Sequence, residues 1–130
     1  MGVQSIILVG IAGAFGAVSR YGIGLLADRA LGPHFAYGTL AVNVLGCLAL
    51  GFLVEAERGT ELVTHPMRLL FAVGFLGAFT TFSAFGYETM RYLQTGATQL
   101  AMLNLSANVV LGLGGIWLGF LAGRSVFPVS

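Results

Sequence analysis

Lysine is absent from this chain, and charge of either sign is scarce. Six arginines and five acidic residues make up the 8% of charged positions among its 130 residues. With no basic cluster and a net charge of +1, it offers no grip for nucleic acid and no polybasic patch for anionic lipid. The one cysteine, Cys47, lies within an apolar run; a single thiol closes no intrachain disulfide, and helix packing accounts for it. The apolar runs hold no nucleophile and base pair, no paired carboxylates, no phosphate loop and no metal cluster, so enzyme chemistry lacks its groups. His34 and His65 fall in expected loops without Cys or carboxylate at metal-ligand spacing, and read as ordinary loop residues. No basic segment precedes the first apolar run, which starts at Val3 and outlasts a signal peptide; it is expected to be a retained helix. Ile6 also stands where a myristoylation pattern requires Ser or Thr.

What is present is apolar: 57% of residues are hydrophobic, and the mean hydropathy is +0.91. A soluble domain of this length has too little interior to hide that surface. Four segments can each cross a hydrocarbon core, which takes roughly 20 helical residues: about Val3 to Ala27, Ala36 to Val54, Met67 to Leu93 and Thr98 to Ala122. The breaks carry loop chemistry, with Asp28 to His34 after the first, Glu55 to Pro66 after the second, and Thr95 and Gly96 after the third. The expectation is an all-α integral membrane four-helix bundle, with residues 1–130 forming one transmembrane domain. No loop is long enough to hold a soluble domain, so function must lie within the bundle.

An even number of spans places the termini and the second loop on one side, with Arg58, Arg68 and Arg124, against Arg20, Arg29 and Arg91 on the other. Three against three gives the positive-inside rule almost nothing to act on. A chain without bias can insert both ways, which points to an antiparallel homodimer; a parallel dimer oriented by other determinants remains the alternative.

Glycine occurs 20 times, and most of these positions suit close helix packing in lipid. Gly74 and Gly77 differ, because they precede Thr80, Thr81 and Ser83 in a stretch of low helix propensity at mid-membrane depth. A broken third helix is expected there. Non-helical backbone at that depth is tolerated only inside protein or beside water, so a break is itself a candidate site.

Polar groups within spans cost free energy unless partnered. Thr39 and Asn43 share one face of the second span, and Asn104, Asn108 and Gly112 share one face of the fourth. Such tracks either hydrogen-bond helix to helix or line a pore. Phe79, Phe82 and Phe85 recur every three residues in the third span. The stripe reads as core or lipid contact, or, beside its hydroxyls, as ring edges whose partial positive charge faces an anion. Glu88 follows within one turn of Arg91, as an interfacial ion pair would. Arg20, inside the first span, suits an aqueous vestibule where its guanidinium would concentrate anions.

Three blocks then match a known family: GAFGAVSRY from Gly13 to Tyr21, GTLAVNVLG from Gly38 to Gly46, and GFLGAFTTFSAF from Gly74 to Phe85 followed by Glu88. With these, the chain resembles the CrcB/Fluc fluoride channels over nearly its whole length. The resemblance implies a fluoride-selective channel in the cell (inner) membrane, exporting fluoride passively and so relieving its toxicity. It also implies a dual-topology antiparallel homodimer with two parallel pores and a structural sodium ion (Na+) at its centre. Carried over by position, Gly77 and Thr80 would offer backbone carbonyls to sodium, Phe82 and Phe85 ring edges, and Asn43 an amide to fluoride. Ser83 and Thr39 would join the polar track, Glu88 a pore end, and Arg20 the vestibule. Ala84 stands where many members have Thr, and Asn104 and Asn108 where some carry Tyr and Ser.

Two other classes compete. A small multidrug-resistance exporter is also a four-helix dual-topology dimer, but needs a carboxylate in its first helix, and none precedes Asp28. An assembly subunit without transport would use the Asn and Phe groups for packing alone.

Overall fold

The computed structural model describes residues 2–129, and over that range the chain consists of helices and short connections. Helix α1 spans Val3–Leu31, α2 Tyr37–Gly59 and α3 His65–Arg68. A π-helical stretch, Leu69–Leu76, leads into α4, Gly77–Phe79; α5, Phe82–Gln94, and α6, Thr98–Val126, complete the order. Four runs, Val3–Leu31, Tyr37–Gly59, His65–Gln94 and Thr98–Val126, are long and apolar enough to cross a membrane. The chain is an all-helical, multi-pass membrane protein.

Helices outlast the apolar windows that announce them. α1 runs to Leu31 rather than Ala27, α2 to Gly59 rather than Val54, and α6 to Val126 rather than Ala122. Backbone hydrogen bonding does not stop at the hydrocarbon boundary, and Arg29, Arg58 and Arg124 in the last turns complement the negative helix ends. Asp28 and Glu55, expected in loops, therefore lie on helices, and His65 opens α3 rather than sitting in a loop.

The bundle is apolar outside as well as inside. Ile6 is 73% exposed, Phe15 67% and Trp117 60%, side chains suited to lipid and not to water. The interior is correspondingly thin and built on backbone approach. Helices α2 and α6 share the largest interface and run in the same direction, with Gly51 against Ile116 and Gly59 against Phe127. A Cβ at Gly51 would strike the Ile116 carbonyl, and one at Gly119 the Leu48 carbonyl, so the crossing depends on bare backbone at both positions. At the end of this pair the buried Glu55 carboxylate accepts from Arg58 at 3.3 Å and from Arg124 of α6 at 3.2 Å. Helix α1 covers the π-helical stretch, where a Cβ at Gly16 would strike the carbonyl of Phe75.

Candidate functional site

Thr39 and Asn43, four residues apart, share one face at the start of α2, and Phe35 lies just before the helix begins. Helix α5 and the residues before it pass this face in the opposite sense, pair by pair. The Phe35 ring stacks on Tyr92 with centroids 6.2 Å apart. Thr39 Oγ1 donates to Glu88 Oε1 at 2.6 Å. Asn43 meets Thr81.

That last meeting organises the site. Between α4 and α5 the backbone takes extended dihedrals, with φ/ψ of −81°/157° at Thr80 and −150°/116° at Thr81. Asn43 Oδ1 accepts from the Thr81 amide at 2.8 Å, and its Nδ2 donates to the Thr81 carbonyl at 3.1 Å. One side-chain amide thus does for Thr81 what an adjacent strand would do, satisfying two backbone groups that lipid cannot. Thr81 in turn caps α5, its Oγ1 accepting from the Ala84 amide at 3.2 Å.

In an uninterrupted helix the Thr81 amide would serve the Gly77 carbonyl, and the Ala84 amide the Thr80 carbonyl. Side chains engage both amides instead, so these two carbonyls lose their helical donors. Hard cations are bound by such oxygens.

From Asn43 a chain of amides leads away through α6. Asn43 Nδ2 donates to Asn108 Oδ1 at 2.9 Å, Asn108 Nδ2 to Asn104 Oδ1 at 3.1 Å, and Asn104 Nδ2 to Thr89 Oγ1 at 3.0 Å. Thr89 then donates to the Phe85 carbonyl at 2.8 Å. The Thr81 amide only donates, and the carbonyls of Thr81, Asn104 and Phe85 only accept, so every link has one direction. Buried networks satisfied at each member polarise and rigidify.

An open cleft of about 360 Å³ lies against these groups, lined among others by Asn43, Gly77, Thr80, Phe82, Phe85 and Asn108. Phe82 and Phe85 meet edge to face, with centroids 5.5 Å apart, yet Phe82 is 83% exposed and Phe85 8%. Phe79 does not continue their stripe: the extended residues intervene, and it is buried against Phe75 instead.

The other expected positions are distributed around this centre. Asn104 is fully enclosed and acts through Asn108 rather than facing the cleft. Ser83 is exposed, its Oγ 3.4 Å from Thr81 Oγ1. Thr39 and Glu88 lie further along the seam between α2 and α5. Glu88 forms no ion pair with Arg91 among the described residues, because its carboxylate turns to Thr39. Arg20 is half-buried on α1, with no hydrogen-bond or ion-pair partner among the described residues. Thr89 and Tyr92 join the site without having been singled out. Their four-residue spacing from Phe85 and Glu88 was the available signal.

Fold and site define a class: a bundle of four membrane-length helices with a polar cleft beside the extended residues Thr80 and Thr81, lined by hydrogen-bonding groups and ring edges. The chain belongs to the CrcB family, described as "CrcB-like protein, Camphor Resistance (CrcB)", whose profile matches residues 7–120. A relative from Dehalococcoides mccartyi named "Fluoride-specific ion channel FluC" is 45% identical over 118 residues, 91% of each chain. Relatives of the same name from Nitratidesulfovibrio vulgaris and Geobacter sulfurreducens are each 44% identical. They cover 95% and 94% of this chain, and 99% and 98% of their own.

Proposed function

We propose that this chain is a subunit of a fluoride-selective channel through which fluoride leaves the cell passively, relieving its toxicity, and that it is not an enzyme. The observation that carries the reading is near full-length identity of 44–45% to proteins named as fluoride channels. The cleft supports it chemically. A small anion losing its water needs donors and positive edges at close range; Phe82 and Phe85 offer ring edges and Asn43 an amide, while Asn108 lines the cleft with its Nδ2 turned to the Asn104 carbonyl and Oδ1. Both Asn43 amide hydrogens have protein partners, so an anion in the cleft competes with Asn108 Oδ1 for one of them. Ser83, Thr39 and Glu88 extend the path along the α2 and α5 seam, Asn104 backs it, and Arg20 raises anion concentration at its mouth.

The working unit in this reading is an antiparallel homodimer embedded in lipid, with the two extended residues acting as a functional break in the third span. Two observations support a second copy: a cleft open along one side, and a phenylalanine 83% exposed beside two carbonyls without helical donors. Gly77 and Thr80 of both copies fit a sodium ion through those carbonyls, which would supply a positive charge to hold the two breaks together.

Purified protein in liposomes should release fluoride down its gradient, with no proton or sodium coupling and strong rejection of chloride, as read by a fluoride-selective electrode. Release no faster than from protein-free liposomes would end the channel reading.

A further inference from the structure

Two buried side-chain polar atoms lack a hydrogen-bond partner among the described residues: Glu88 Oε2 and Tyr92 Oη. They belong to one place. Glu88 and Tyr92 are four apart on α5, hence on one face, and helical side chains lean toward the N-terminus, so Tyr92 leans over the turn that carries Glu88. Both face the same strip of chain: Tyr92 stacks on Phe35 and Glu88 accepts from Thr39, one turn further on. Tyr92 is only 5% exposed, packed among Phe35, Leu40, Leu100 and Ala101. A buried phenol without a partner is costly enough to need an explanation.

The two orphans are chemically complementary. A phenol hydroxyl has a hydrogen to give, whereas Oε2 of an ionised carboxylate only accepts. A bare halide satisfies the first and is repelled by the second; water satisfies both. From this geometry we infer that Tyr92 and Glu88 hold one resident water molecule, which accepts from Tyr92 Oη and donates to Glu88 Oε2. Its second hydrogen remains free. The consequence rests on the channel reading above: next to an acceptor-only carboxylate, the water presents a donor to a passing anion and begins to restore its hydration. Tyr92 is then a positioning residue, acting on the anion through the water.

The direct test is a high-resolution structure of the full-length protein purified without fluoride, because fluoride and water scatter alike. Density within hydrogen-bond distance of both Tyr92 Oη and Glu88 Oε2 is expected in the wild type and should vanish in Tyr92→Phe, which keeps the ring on Phe35. A direct contact between the two side chains with nothing between them, or density unchanged in Tyr92→Phe, would overturn the inference. In liposomes Tyr92→Phe should lower fluoride release at least threefold. Combined with Glu88→Gln it should fall no further than the worse single variant, since both changes dismantle one water site; multiplicative losses would count against a shared water. The two readings fail separately. Bridging density in a protein that passes no fluoride defeats the channel alone, and its absence in a protein that conducts defeats the water site alone.

Discussion

Single side chains in the cleft differ sharply in how much structure they carry, and substitutions should separate accordingly. Phe82 is exposed, so Phe82→Ile removes a ring edge with little packing loss, whereas Phe85 is buried and Phe85→Ile should cost about 1 kcal/mol of stability. Both should reduce fluoride flux per folded dimer at least tenfold, checked by electrode after size-exclusion chromatography; near wild-type flux in both would reduce the rings to packing. Asn43→Leu is a harsher change than its size suggests. It unpairs both the amide and the carbonyl of Thr81, at about 1–3 kcal/mol for each buried group, so its flux loss should come with a visibly lower melting temperature. Sequence spacing brought Asn43, Phe82, Phe85 and Glu88 forward as candidates, and the family resemblance gave them pore roles. Spacing did not disclose that Asn43 holds backbone, or that Glu88 turns from Arg91 to Thr39, because partners on other helices leave no mark on local periodicity.

Elements follow the same division between what hydropathy reveals and what packing decides. The four runs stand out because lipid requires long, uncharged helices, but the first, second and fourth continue several residues past their expected ends, since hydropathy registers the hydrocarbon and not the hydrogen bonds that continue past it. Gly74, Gly77, Thr80 and Thr81 mark a region of weak propensity; that Thr80 and Thr81 are the residues in extended conformation follows from Asn43 and the Thr81 cap, which belong to tertiary structure. Among the glycines, sequence treats as equals positions that the packing separates. Gly119→Leu should collide with the Leu48 carbonyl and prevent the approach of α6 to α2, giving little monodisperse protein, while Gly22→Ala meets open space and should purify like wild type. Equal yields from the two variants would show that the crossing tolerates a side chain.

The whole molecule in the proposed dimer is governed by its even charge, three arginines to each side. A cysteine placed in the first loop, in a Cys47→Ser background, should be labelled by impermeant reagent in about half the molecules from either face of the membrane. Labelling from one face only would exclude the antiparallel arrangement. The one-way amide chain from Asn43 to Phe85 bears on this scale too. Within one subunit it gives the site a fixed polarity, so a lone copy would present different electrical faces to the two sides of the membrane. Set head to tail, two such chains cancel. A dimer built that way presents the same electrical face to both sides of the membrane, so it should conduct equally well whichever way the gradient runs.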